Sequence, residues 1–186
     1  MGHRHFYSAC LPLLFNYMRN SAKHIYIIGY GNRNRQDDSL GAKLAARLKK
    51  DCISGVTVVE KHQLSIEDAY DIAMSGADVV FFIDAAIYGE EPFGFNVVEP
   101  SNKKAIALSL FTPETLIYYC EKAFDRRIRG YILGIKGYQW EFSREISDEG
   151  FGNSEKAYEF IKDILDILLI NSFTFYNGNE SACCIK

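Results

Sequence analysis

Two acidic positions carry the chemical interest of this sequence. Asp38 closes the run Gly29-Tyr30-Gly31-Asn32-Arg33-Asn34-Arg35-Gln36-Asp37-Asp38, and Asp84 ends the apolar run Val79-Val80-Phe81-Phe82-Ile83. Two carboxylates facing one crevice can hold a divalent cation or share a proton, since like charges in close approach do not both ionise freely. Each also has an ordinary structural use. Asp38 precedes Leu40, Leu44, Ala45 and Leu48, which recur at helical spacing, so it suits a helix N-cap or a dipole partner. Asp84 suits a strand-end cap. The choice turns on whether the fold brings the two together.

The elements that would position them alternate along the chain. A strand at 24–29 leads through a glycine turn to a helix at 38–50. A strand at 56–60 leads to a helix at 66–75, opened by Ser65 with Asp68 three residues on, in the manner of a capping box. The continuous apolar run at 79–84 reads as a strand buried on both faces. Phe93 to Glu99 reads as an edge strand. Thr112-Pro113-Glu114 is a strong helix start: N-cap, proline at the first helical position, an acid in the first turn. That helix runs to Phe124, and a last strand covers 128–135. A loop over 136–152 leads to a final helix at 154–170. This order predicts an α/β fold, a three-layer α/β/α sandwich around a mostly parallel twisted sheet. Strands one and three should be neighbours, which would set Asp38 and Asp84 at the carboxyl ends of adjacent strands, where open α/β sheets build their sites.

At 186 residues, one domain is the default. Residues 23–170 form it, with 1–22 an N-terminal extension and 171–186 a tail. Met18 is a candidate natural start. The apolar stretch Phe6–Tyr17 lacks a good cleavage site for a signal peptide. A net charge of −3 argues against a nucleic-acid partner. No apolar run reaches a membrane span, since Lys162, Asp163 and Asp166 interrupt the last helix. The five cysteines are odd in number and form no CxxC pair, which fits reduced thiols in the cytoplasm. Cys183-Cys184-Ile185-Lys186 ends in the wrong residue for prenylation.

Several site classes are excluded by motif. Gly29-Tyr30-Gly31 lacks the third glycine of a dinucleotide fingerprint, and no P-loop, G-x-S-x-G elbow or H-E-x-x-H occurs. Gly137-Tyr138-Gln139-Trp140-Glu141 follows the last strand onto the expected active rim. Tyr138 could line a peptide cleft and Glu141 could meet a basic group, or the aromatics could pack the loop onto the core.

Gly29–Gly41 resembles the opening motif of the hydrogenase maturation endopeptidases. His62–Ala69, Val79–Ala86 and Gly134–Ser147 resemble further stretches of one branch of that family, in the same order, so the likeness spans about residues 24–170. The resemblance implies an endopeptidase that removes the C-terminal extension of a nickel-iron hydrogenase large-subunit precursor after nickel insertion. It implies nickel brought by the substrate, with Asp38 and Asp84 as its acidic ligands; Gly31, Asn32, Tyr138 and Glu141, placed on the same rim, are the expected substrate contacts. The family's third ligand, a histidine, aligns with Ser109, and serine is a poor ligand for a borderline metal. His62, just after the second strand, could complete a site of one imidazole and two carboxylates, or simply bond a neighbouring loop. Two other readings follow from the missing histidine: a catalytically degenerate binding or adaptor protein, and a peptidase for another precursor.

Overall fold

The structure, a computed structural model, describes residues 24–101 and 111–176, with side chains through Leu169. The N-terminal extension with Met18, the position Ser109 and the cysteines of the tail lie outside the described residues. The elements run β1 (Ile25–Tyr30), a 3-10 turn (Gln36–Ser39), α1 (Leu40–Lys50), β2 (Val56–Lys61), α2 (Ile66–Met74) and β3 (Val79–Ala86). Then follow β4 (Phe93–Val98), α3 (Pro113–Phe124), β5 (Arg129–Lys136) and α4 (Asp148–Tyr176).

The five strands form one sheet in the order β2-β1-β3-β5-β4. β1 is parallel to β2 and to β3, β3 is parallel to β5, and only the edge strand β4 is antiparallel. Strand periodicity sorts the side chains into two cores. Ile25, Ile27, Val79, Phe81 and Ile83 point to the layer of α1 and α4. Tyr26, Ile28, Val80 and Phe82 point to the layer of α2 and α3. Val79 through Ile83 are all fully buried, which is why β3 reads as an unbroken apolar run. The expected α/β/α sandwich is the fold observed.

α4 begins at Asp148 instead of 154. The Ser147 hydroxyl accepts the Gly150 amide at 3.0 Å, and Asp148 and Glu149 supply acids to the first turn. Gly150 and Gly152 argue against helix in the sequence, but the turn is anchored from outside. The same helix continues to Tyr176, past the helix end expected at 170.

α1 lies almost in contact with the strand ends. A Cβ at Gly41 would sit 2.3 Å from the Ile83 carbonyl oxygen and 2.6 Å from that of Tyr30. A glycine-to-alanine change inside a helix normally gains about 1 kcal/mol. Gly41→Ala should instead destabilise the protein, because its new methyl meets strand backbone that cannot rotate away. Gly152→Ala, with nothing within 4 Å of its added carbon, should stabilise by about 0.5–1 kcal/mol. Urea unfolding of the two variants tests the contrast.

Candidate functional site

The sheet order reverses between β1 and β3: α1 leads from β1 to β2 on one side, and β5 lies on the other. A crevice at the carboxyl ends of the strands forms at such a switch point. Here it is a cavity of about 640 Å³ whose lining includes Tyr30, Asn32, Arg35, Asp38, His62 and Asp84. Asp38 and Asp84 therefore share one cavity, as the strand order required.

The loop after β1 is shaped to bring Asp38 there. Gly31 has φ of 137°, in a region that favours glycine, and a Cβ on it would fall 1.8 Å from the Asp38 carbonyl oxygen. The Asn32 amide reaches the Asp38 carboxylate only at 3.4 Å. Asp38 sits in the 3-10 turn ahead of α1 and makes no capping bond to that helix. The capping alternative for Asp38 is thus not what the geometry shows.

Asp84 is in a different condition. Burial raises its carboxyl from 3.8 to about 6, and the neighbouring Asp38 charge adds to the rise. The Ala85 amide, donating at 2.8 Å, and the Tyr30 hydroxyl oppose that shift without cancelling it. Tyr30 in turn holds its own proton well above the usual tyrosine range, through burial first and Asp84 next. A carboxyl titrating near neutrality beside a second carboxylate can exchange a proton or accept a cation.

His62 lines the same cavity just beyond β2. Among the described residues no group of three histidine, cysteine, aspartate or glutamate side chains is close enough together to hold a metal ion. Gly31 and Asn32 line the cavity, whereas Tyr138 and Glu141 do not. The Tyr138 hydroxyl bonds Glu91 and receives the Asn153 amide, and the Glu141 amide donates to Gln36 at 2.7 Å. These contacts fasten the loop after β5 to its neighbours.

Sequence reasoning passed over three residues. Tyr30 shares strand parity with Tyr26 and Ile28, which could have placed it beside Asp84. Arg35 lines the cavity, its Nε donating to the Trp140 carbonyl at 2.8 Å. Asp37 is the third. It is fully buried and accepts the amides of Tyr138 (2.7 Å), Gln139 (3.1 Å) and Ser147 (2.8 Å), and the Ser147 hydroxyl at 2.6 Å. Burial alone would raise its carboxyl, but these four bonds hold it below 3.8.

No family model matches the chain, and no curated protein matches it. Solved structures do. The NiFe hydrogenase maturation protease HycI of Thermococcus kodakarensis superposes with a TM-score of 0.64 at 22% identity, over 82% of this chain and 99% of that one. The hydrogenase maturating endopeptidase HybD of E. coli gives 0.59 at 14% identity, over 76% and 91%. The hydrogenase 2 maturation peptidase of a Thaumarchaeota archaeon gives 0.57 at 17%, over 77% and 98%. The chain has the fold of the hydrogenase maturation proteases. No helix among its described residues is long and apolar enough to cross a membrane.

Asp37 and Asp84 should respond oppositely to pH. Asp37, lowered in the folded state, stabilises the protein above 3.8, and that contribution is lost as pH falls through its lowered value. Asp37→Ala should cost about 3 kcal/mol or more, by orphaning buried donors, and should flatten the acid limb of the stability curve. Asp84, raised in the folded state, does the reverse: stability falls as pH rises from 3.8 to about 6, and the penalty is complete above that. Asp84→Asn should therefore raise the melting temperature above pH about 7 and leave it nearly unchanged below about 4. Thermal scans across pH read both effects.

Proposed function

We propose that this protein is a cytosolic endopeptidase of the hydrogenase-maturation type. It removes the C-terminal extension of a nickel-iron hydrogenase large-subunit precursor after nickel insertion. The observation that carries the reading is the pair Asp38 and Asp84 in one cavity at the β1–β3 switch point. The fold shared with proteases of that name supports it.

In this reading the nickel arrives with the precursor. The residues suit that role in part. Asp84 carries an unfavourable charge beside Asp38, which a divalent cation would relieve. Two carboxylates give two oxygen ligands, and the precursor supplies the rest. A metal so held can polarise a carbonyl or a water at the scissile segment. Asp38 and Asp84 would fix its position, Tyr30 would orient Asp84, and Gly31 and Asn32 would line the path of the segment.

A second reading is favoured by one observation. No three-ligand cluster exists among the described residues, and the sequence has no histidine after His62. A chain holding only two weak ligands could bind a precursor or adaptor partner without cutting it. A peptidase for a different precursor would use the same two acids without nickel.

The test is to mix the protein with nickel-loaded, uncleaved large subunit and follow intact mass. The expected result is loss of the C-terminal extension. Asp38→Asn should slow this at least about a hundredfold while leaving thermal unfolding nearly unchanged, since among the described residues the Asp38 carboxylate accepts one hydrogen bond, at 3.4 Å. An uncleaved precursor that an active protease still processes would select the binding reading.

A further inference from the structure

The outer side of α2 carries an apolar stripe. Ile66, Tyr70 and Met74 follow at four-residue steps, so they align along one flank of the helix. They are 38%, 55% and 55% exposed. Phe124 of α3 meets Tyr70 edge-on, with ring centroids 5.8 Å apart, and widens the patch. Glu67 and Asp71, both exposed, border it with negative charge. Scattered apolar side chains on a surface need no explanation, but an aligned row extended by a neighbouring helix invites a cover.

The chain enters the fold at the lower end of this row. The His24 amide donates to Asp78 Oδ2 at 3.2 Å, and His24 Nδ1 lies 2.8 Å from the Ser75 carbonyl oxygen. Ser75 directly follows Met74, so His24, the first described residue, lies beside that end of the stripe. What precedes Lys23 is complementary in kind. Phe6–Tyr17 is rich in apolar residues, including Leu11, Leu13, Leu14 and Phe15. Residues 1–23 contain Arg4, Arg19 and Lys23 but no aspartate or glutamate. The reach is sufficient: residues 18–23 span at most about 20 Å, and the stripe from Met74 to Ile66 is about 12 Å long.

We propose that the segment Phe6–Tyr17 of this same chain packs on the Ile66–Tyr70–Met74 stripe, with the flanking Arg4 and Arg19 set against Glu67 and Asp71. Apolar area and opposite charge both favour the contact, and the short tether makes it intramolecular. The upper end of the stripe, Ile66, adjoins Ser65 and Leu64 of the candidate cavity, so the covered face leads up to that rim.

Cys10 lies within the segment, which allows a direct test in the full chain. Met74→Cys is made in a background of Cys52→Ser, Cys183→Ser and Cys184→Ser, leaving the buried Cys120 in place. A short bis-maleimide is added and the products are read by intact mass and gel. The expected result is a link between Cys10 and position 74 within one chain, formed about tenfold or more faster than with Glu159→Cys on exposed α4. Links between two chains would overturn the proposal and give the stripe to a second copy. Equal rates at the two positions would overturn it and leave the stripe to another partner. A second measurement needs no cross-linker. Tyr70→Asp with Met74→Asp should speed tryptic cleavage after Arg19 about tenfold, and equal cleavage of the unaltered chain would likewise refute the contact.

Discussion

The candidate site rests on one buried carboxylate. Asp37 accepts three amides and a hydroxyl from the stretch Tyr138–Ser147, so a single side chain ties the loop after β1 to the loop after β5 and to the start of α4. Glycines clear the room for it. A Cβ at Gly137 would lie 2.8 Å from Asp37 Cβ, and one at Gly150 would lie 2.9 Å from its carboxylate. Larger residues at either place would push the carboxylate off its donors. The interaction is local in atoms but long in sequence, joining positions more than a hundred residues apart.

Two acids in this protein are treated in opposite ways, and the difference is a matter of donors. Asp37 and Asp84 both lose water, and burial raises both carboxyls. Asp37 recovers the loss through four hydrogen bonds and stays ionised. Asp84 receives the Ala85 amide and the Tyr30 hydroxyl, and it also feels Asp38. Fewer donors and a like charge leave it short of compensation. Such uncompensated charge is a cost to folding that persists where a site has a use for it. The stable acid builds the scaffold, and the strained one faces the cavity.

The fold was legible because its signals are local. The apolar runs at Ile25–Ile28 and β3 and the Thr112-Pro113 start each follow from short-range physics, and strand adjacency follows from the parallel order. Placing Asp38 and Asp84 in one cavity needed no more than that. Asp37 was not legible, since its partners lie in a loop whose path no periodicity describes. The start of α4 failed for the same reason. Gly150 reads as a helix breaker in sequence, yet it is the space that Asp37 occupies. The unlike roles of Asp37 and Asp38, neighbours in the chain, are decided by which way a 3-10 turn points them.

The turn itself follows from crowding at the switch point. Gly29 and Gly41 let α1 approach the strand ends until backbone nearly meets backbone, and Gly31 lets the chain pass the Asp38 carbonyl. A helix so close leaves no length for a relaxed loop, so residues 36–39 wind tightly before α1 starts. Consecutive residues in such a turn point to different sides. Asp37 is driven inward to the β5 loop, and Asp38 is left over the crevice. Proximity of α1, burial of Asp37 and presentation of Asp38 are thus one constraint, set by three small residues. Under the proposed reading, two carboxylates fixed in this way would hold a borderline metal only weakly, since imidazole or thiolate would bind it better. Weak holding suits an ion that arrives with a substrate and leaves with it.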